Sequence, residues 1–188
     1  MEVLMQLLAA HSGHQLVCSN LAQEINVTAE TVKRWIDLLE RLHYGFVVRP
    51  WFASVGKMLR KEPKWFLRDW SSLADDGARA ETLVACHLLK AVRGWTNLGL
   101  GQFALRYLRD KTRREVNFLV TRDRRPWFLV EVKTSDTNLS RALPHFQALP
   151  KAPHAFQAVI NLPFDPVDCF QVRRPAVVPA QTVLSQLL

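Results

Sequence analysis

The chain has 188 residues and a net charge of +8, and 48% of its residues are apolar. This length suits one domain, or one domain with a small appendage, and the apolar content is sufficient for a buried core. Neither a membrane-spanning run of about 18 apolar residues nor a signal peptide is recognisable, so the sequence predicts a cytoplasmic protein with no membrane contact. The three cysteines are far apart and lack CxxC spacing, which argues against disulfides and against a zinc site.

Residues 1–52 predict a winged helix-turn-helix, because three short helical patterns precede a β-prone segment. Ser19 and Thr28 are the expected N-caps of the second and third helices. The expected elements are helices over 2–10, 20–25 and 29–43 and a strand over 46–52. Residues 1–50 hold four basic and five acidic residues. This balance gives little counterion release on DNA, so it favours a structural or protein-contact role over DNA reading by the third helix.

Residues 53–75 are expected to form a connector with a short strand at 64–68, paired with residues 46–51. Aromatic and basic side chains alternate here, an arrangement that fits base stacking with phosphate contact and fits packing between two domains equally well. The residues concerned are Trp51, Phe52, Lys57, Arg60, Lys61, Lys64, Trp65, Phe66 and Trp70.

Residues 76–188 predict an α/β domain with the element order α-β-β-β-α-β. The order indicates an antiparallel meander whose third strand crosses by a helix to a parallel neighbour. The expected elements are a helix over 76–92, a glycine-bearing loop over 94–101, a strand over 103–108, two strands joined by a short basic turn within 114–133, a helix over 139–149, a strand over 155–161 and a terminal helix over 182–188.

The candidate site lies in the hairpin from Arg114 to Lys133. Side-chain alternation places Glu131 and Lys133 on one face of the second hairpin strand, among apolar neighbours that make an unpaired charge costly. A Mg²⁺ or Mn²⁺ site for phosphodiester hydrolysis needs carboxylates, a carbonyl oxygen and a nearby cation. Glu131 and Glu81 supply carboxylates, Val132 a carbonyl and Lys133 the cation.

At these residues the sequence resembles the PD-(D/E)xK nuclease-like superfamily, with Glu131-Val-Lys133 as the (D/E)xK element. The complete motif order resembles the C-terminal region of a prokaryotic AAA+-type ATPase family, in which a winged helix and a nuclease-like domain of unknown function follow the ATPase module. The resemblance implies a restriction-endonuclease-like fold preceded by a winged helix. It also implies an ATPase partner, since the chain has no GxxxxGK[ST] phosphate-binding loop of its own.

Asn117 stands where the superfamily has a metal-binding Asp. An amide brings no charge to a Mg²⁺ site, so the sequence predicts weak metal binding and slow or absent hydrolysis by a Mg²⁺-dependent DNA endonuclease. Glu115 points to the same face as Asn117, but two residues along a strand is roughly 6.5–7 Å, too far for a simple exchange of ligand.

Basic residues concentrate on and around the hairpin, and they predict a nucleic-acid surface, with DNA as the expected partner. The residues expected to bind phosphates are Arg113, Arg114, Arg124 and Arg125. A solvated sheet edge kept soluble by charge explains the same cluster. Two function classes therefore stand: a nuclease-like nucleic-acid-binding domain, and a noncatalytic interaction or regulatory module tied to an AAA+ ATPase. The oligomeric state stays open.

Overall fold

A computed structural model describes residues 1–51 and 62–187. The connector residues Lys57, Arg60 and Lys61, together with Phe52, lie outside the described residues. Within the described ranges the chain forms six α-helices and seven strands: α1 (Glu2–Ala10), α2 (Cys18–Glu24), α3 (Ala29–Arg41), β1 (Gly45–Pro50), β2 (Lys64–Leu67), α4 (Asp76–Asn97), β3 (Phe103–Arg109), β4 (Glu115–Arg122), β5 (Arg125–Lys133), α5 (Ala142–Ala148), β6 (His154–Val159), β7 (Ala176–Pro179) and α6 (Ala180–Ser185).

All seven strands belong to one mixed sheet, in the order β2-β1-β3-β4-β5-β6-β7. The meander β3-β4-β5 is antiparallel. The strand β6 runs parallel to β5 after the crossover through α5, and β7 runs parallel to β6. The predicted α/β class, the antiparallel meander and the parallel strand after α5 are confirmed. The strand β7 was not predicted, because its four residues lie in a proline-containing tail.

The helices cover the two faces of this sheet. On one face α4 packs over β3, β4 and β5 and buries the main apolar core. On the other face α5 packs over β4, β5 and β6, while α1–α3 form their own core against Trp65 of β2. Successive side chains of β2 point to opposite faces of the sheet, so Trp65 packs in the core of α1–α3 and the adjacent Phe66 packs in the main core.

The N-terminal helices show which local signals are reliable. Thr28 caps α3 as predicted, with its hydroxyl accepting a hydrogen bond from the Thr31 amide at 3.1 Å. The Ser19 prediction is wrong, since α2 begins at Cys18 and Val17 stands at its N-cap without a side-chain bond. The strands β1 and β2 pair antiparallel as expected. However, β1 also pairs parallel with β3 through Arg49 and Pro50, so this region shares a sheet with the rest of the chain.

The helix α4 continues to Asn97, five residues beyond the predicted end, and Gly94 lies inside it rather than in a loop. Packing against β3 and β5 outweighs the modest intrinsic cost of a helical glycine. Asp75 caps the start of α4 by accepting from the Ala78 amide at 2.7 Å, which fixes Glu81 in the second turn of the helix. Among the helices of residues 1–51 and 62–187, none is long and apolar enough to cross a membrane.

Candidate functional site

Glu131 and Lys133 form an ion pair at the end of β5. The Lys133 ammonium donates to Glu131 Oε1 at 2.9 Å, and Glu131 is buried while Lys133 is partly exposed. Burial raises the pKa of Glu131, and the bond from Lys133 and the backbone N–H of Asn117 offset that effect only in part. The charge of Glu81 acts to raise the pKa of Glu131 further.

Asn117 lies at a break in the sheet. In the pairing of β4 with β3, Arg106 lies opposite Leu119 and Leu108 lies opposite Val116. One residue of β3 between these pairs therefore faces two residues of β4, Asn117 and Phe118, which is a β-bulge. Against β5, backbone pairing runs from Arg122 as far as Phe118 and Val130. The Asn117 side chain then takes over the role of the backbone, because its Oδ1 accepts from the Val132 amide at 2.9 Å. Asn117 therefore closes the gap between β4 and β5 beside Glu131.

Glu81 is engaged by a residue that the sequence reasoning did not assign to the site. The Lys64 ammonium lies 3.0 Å from Glu81 Oε1 and 2.5 Å from Glu115 Oε1, and the Lys64 side chain is only 6% exposed. Burial acts to lower the pKa of Lys64, but attraction to Glu81 and Glu115 outweighs it, so the pKa of Lys64 is raised. The signal available in the sequence was a lysine at the start of an otherwise apolar strand.

A polar cavity of about 550 Å³ opens beside this cluster. The loop after α1 lines this cavity. In this loop Gly13 adopts a positive φ of 84° and donates its N–H to the Trp65 carbonyl at 2.7 Å. Arg109 also lines the cavity, and its Nη1 donates to Glu115 Oε2 at 3.4 Å and to Gln15 Oε1 at 3.3 Å. Charges of both signs thus line one cavity between the N-terminal region and α4.

The structure brings the predicted metal-site residues near one another but engages each with a partner. Glu131 binds Lys133, Asn117 binds the Val132 amide and Glu81 binds Lys64. Val132 itself has a buried side chain in the main core. Within residues 1–51 and 62–187, no group of three His, Cys, Asp or Glu side chains is arranged to hold a metal ion. The carboxylates are therefore neutralised by lysines of the chain itself.

The basic residues of the hairpin do not form one continuous surface. Arg113 and Arg114 lie in the β3–β4 turn. Arg124 lies in the β4–β5 turn and Arg125 begins β5, so both are at the other end of the eight-residue strand β4. Seven steps along a strand separate the two turns by about 23 Å. Of these four arginines, Arg113 and Arg114 are at the end of the sheet that holds Asn117 and Lys133. The charge of Arg114 is partly neutralised by Asp110, whose carboxylate lies 2.7 Å from the Arg114 guanidinium.

Comparison with known sequences divides the chain just before α4. Two families match it in succession. Residues 1–75 match a domain of unknown function (DUF8612), and residues 76–168 match a second domain of unknown function (DUF4143). The DUF4143 family is commonly found with AAA ATPases, which supports that part of the resemblance noted in the sequence. The boundary between the matches falls at Asp75, the N-cap of α4.

Two curated mycobacterial proteins are similar to this chain. They are the uncharacterized protein Rv2008c of Mycobacterium tuberculosis and the uncharacterized protein Mb2031c of Mycobacterium bovis. Each is 27% identical over 144 residues, which cover 73% of this chain and 33% of the relative. The chain therefore spans about a third of the length of the curated relatives it matches. No solved structure gives a significant match.

Proposed function

We propose that this chain is a nuclease-like nucleic-acid-binding domain with little or no hydrolytic activity, in which a winged helix precedes a restriction-endonuclease-like domain. The element order from α4 to β6 supports the nuclease-like part, since it combines an antiparallel meander with a helix crossover to a parallel strand. The three helices followed by the β1–β2 pair support the winged-helix part. Fold alone does not assign chemistry, so the proposal depends on the site.

The observation that carries the proposal is the grouping of Glu131, Lys133 and Asn117 where β4 and β5 separate. A buried carboxylate, an ammonium 2.9 Å from it and an amide oxygen lie together at one end of the sheet. This is the arrangement that metal-assisted phosphodiester hydrolysis uses when a second carboxylate replaces the amide. Weak binding of Mg²⁺ or Mn²⁺ by Glu131, Glu81, Asn117 and the Val132 carbonyl is the corresponding cofactor proposal.

Little hydrolysis is expected for two reasons of charge. Asn117 brings no negative charge, and its Oδ1 already accepts the Val132 amide hydrogen. Glu81, the other carboxylate that a metal would use, is bound to Lys64. A divalent cation would have to displace this ammonium, and the desolvation of the cation would be offset by Glu131 alone.

The proposed nucleic-acid contact is electrostatic and centres on the β3–β4 turn, because that turn adjoins the site. We expect duplex DNA affinity to fall steeply with salt, and replacement of Arg113 and Arg114 by Gln to reduce the slope of log K against log salt by about two. Fluorescence anisotropy at several salt concentrations measures both quantities. Replacing Arg124 and Arg125 removes the same charge at the far end of β4 and should have the smaller effect.

Arg173 and Arg174, exposed residues that precede β7, provide a charge-matched control pair. Their replacement by Gln should change the slope little, because they precede the edge strand β7, which is three strands away from β4 in the sheet. Absence of DNA binding at low salt would contradict the proposed function. A larger loss from the far pair than from the near pair would move the nucleic-acid surface away from the candidate site.

A second function, protein contact through the winged helix with an ATPase or other protein, is favoured by the outer face of α3. Leu38 and Leu42 lie one turn apart and are 41% and 65% exposed. Exposed apolar side chains at this spacing suit a protein partner better than a phosphate backbone. The acidic balance of residues 1–50 supports the same interpretation.

We expect replacement of Lys33 and Arg34 by Ala to leave DNA affinity within about twofold of wild type, because a surface that contacts protein contributes little counterion release. The measurement is the same anisotropy titration, run on several duplex sequences in parallel. A large loss that depends on the DNA sequence would instead make α3 a reading helix and would remove the support for protein contact.

A further inference from the structure

The β4–β5 turn carries an arginine at a backbone position that favours glycine. Arg122 pairs with Arg125, and the two residues between them, Asp123 and Arg124, have positive φ angles of 50° and 65°. Positive φ at both central residues is the pattern of a type I′ turn, in which Asn-Gly or Asp-Gly is preferred. An arginine at the second position is strained where glycine would not be. The charge of Arg124 therefore stands where a purely structural turn would have glycine.

A β-bulge next to this turn changes the direction of one aromatic side chain. Val120 lies opposite Phe128 and Thr121 lies opposite Pro126, so Trp127 has no partner in β4. Strict alternation would place Trp127 and Phe128 on opposite faces of the sheet, but both pack against the main core. The bulge thus directs Trp127 to the face that carries α4.

Three aromatic rings meet there. Trp127 packs against Trp95 of α4 and Phe103 of β3, with ring centroids 5.2 and 5.6 Å apart, and the rings of Trp95 and Phe103 are 5.0 Å apart. All three side chains are partly exposed. The Arg122 guanidinium lies 5.6 Å from the centre of the Phe103 ring, within the range of a cation–π contact. Aromatic rings and arginine charge thus share this end of the sheet.

The loop between α4 and β3 is fixed to the same turn. The Leu100 carbonyl accepts a hydrogen bond from Arg122 at 3.0 Å. The Gln102 N–H donates to Asp123 Oδ1 at 2.9 Å, and the Asp123 N–H donates to the Gln102 carbonyl at 2.7 Å. Leu98 and Leu100 are 72% and 52% exposed and extend the apolar surface of the rings. A surface held by these bonds loses little conformational entropy when a partner binds.

The charge of the turn is positive and largely unpaired. Residues 122–125 hold three arginines and Asp123. The Asp123 carboxylate lies 3.9 Å from Arg122 Nε. Arg124 and Arg125 are exposed and take part in none of the ion pairs of residues 1–51 and 62–187. A partner with regularly spaced negative charges would complement them.

The β4–β5 turn surface, as we name it, consists of Trp95, Phe103, Trp127, Arg122, Arg124 and Arg125. We propose that this surface binds a single strand of nucleic acid, with the arginines on phosphates and the rings stacked against bases. A single strand presents phosphates and unstacked bases together, whereas a duplex keeps the faces of its bases inside the stack. The surface is at the end of β4 opposite to the β3–β4 turn, so it goes beyond the proposed duplex contact and can fail independently of it.

The first experiment separates binding from folding at Arg124. A labelled oligodeoxythymidylate of about 15 nucleotides, long enough for one single-strand site, is titrated with the full chain and followed by anisotropy at several salt concentrations. Arg124→Gly combined with Arg125→Gln should reduce the slope of log K against log salt by about 1.4. Arg124→Gly alone should melt at or above the wild-type temperature, because glycine adopts positive φ without strain. Arg41→Gln, an exposed arginine of α3, is the charge control and should leave the single-strand affinity unchanged.

The second experiment tests the aromatic contact. Trp127→Leu should weaken binding of the same oligonucleotide at least about fivefold, because stacking of one base is lost, whereas Trp127→Phe should keep most of the affinity. Far-UV circular dichroism and duplex titration check that both variants are folded. Single-strand affinity that falls with the arginine variants but not with Trp127→Leu would overturn the stacking surface.

Two further outcomes separate this inference from the proposed function. Loss of single-strand binding on replacement of Arg113 and Arg114, with Arg124→Gly and Arg125→Gln binding as wild type does, would overturn the inference and leave the proposed duplex contact standing. Single-strand binding that depends on Arg124 and Trp127 in a protein that binds no duplex would support the inference and contradict the duplex contact. Absence of single-strand binding at low salt would overturn the inference and favour an acidic protein partner for this surface.

Discussion

Replacing Lys64 with methionine is expected to lower the free energy of unfolding by about 3 kcal/mol. The substitution keeps the length of the side chain but leaves the carboxylates of Glu81 and Glu115 close together without their shared cation. Both carboxylates are largely buried, with exposed side-chain fractions of 19% and 23%, so water replaces the lost contacts only in part. Urea unfolding followed by circular dichroism measures the change.

Two further variants make the Lys64 test specific. Lys90 is an exposed lysine on α4, and Lys90→Ala should alter the stability by no more than about 0.5 kcal/mol. Adding Glu81→Gln and Glu115→Gln to Lys64→Met should recover most of the loss, because the repulsion disappears with the charges. A Lys64→Met protein as stable as wild type would mean that the cluster contributes nothing to folding.

The pH dependence of the Lys64 contribution follows from its raised pKa. A lysine whose folded-state pKa is above its ordinary value of 10.5 stabilises the fold fully below pH 10.5 and loses that contribution as pH rises through the folded-state pKa. The stability difference between wild type and Lys64→Met should therefore be constant between about pH 7 and pH 9 and should shrink only in stronger alkali.

Asn117→Asp should tighten Mg²⁺ or Mn²⁺ binding by about tenfold or more, equivalent to about 1.4 kcal/mol. One Asp oxygen can accept the Val132 amide hydrogen as Asn117 does now, which leaves a second, charged oxygen next to Glu131. Without a bound metal ion, the new Asp carboxylate and Glu131 repel each other. The variant should therefore melt at a lower temperature than wild type without metal, and metal should raise its melting temperature more than that of wild type. Calorimetric titration and thermal unfolding measure these effects.

The same substitution should produce plasmid nicking that wild type shows slowly or not at all. Adding Lys133→Ala should abolish the gain, because the ammonium is the cation nearest to the new site. Asn97→Asp adds the same charge at the far end of α4 and serves as the control. Robust nicking by wild type that survives Glu131→Ala would show that the site is elsewhere. An Asn117→Asp protein that binds no metal would favour the interaction-module function.

Local patterns in the sequence were sufficient for the elements that the site is built on. The shared face of Glu131 and Lys133 on β5 and the Thr28 cap of α3 are properties of neighbouring residues, and both were predicted correctly. The alternation expected in β4 is wrong at Asn117, because the bulge there places Val116 and Phe118 in cores on opposite faces of the sheet. These elements bring Glu131, Lys133 and Asn117 to one end of the sheet, as expected from the hairpin.

Features that depend on distant contacts were not predictable in the same way. Lys64 is 17 residues from Glu81 in sequence, and no local pattern connects it to Glu115 across the sheet. The bulge at Asn117 arises from a register difference against β3, which the sequence of β4 alone does not encode. The length of β4 places Arg113 and Arg114 at one end of the hairpin and Arg124 and Arg125 at the other.

The sheet shared by the DUF8612 and DUF4143 regions has a consequence for how this chain can change during evolution. Lys64 belongs to the first region, and both of its carboxylate partners belong to the second. A recombination event that exchanged one region for that of a distant relative would separate the ammonium from the carboxylates and leave an edge of β3 without its neighbour β1. We therefore expect the two regions to be inherited as a unit, with residue 64 and residues 81 and 115 substituting in concert.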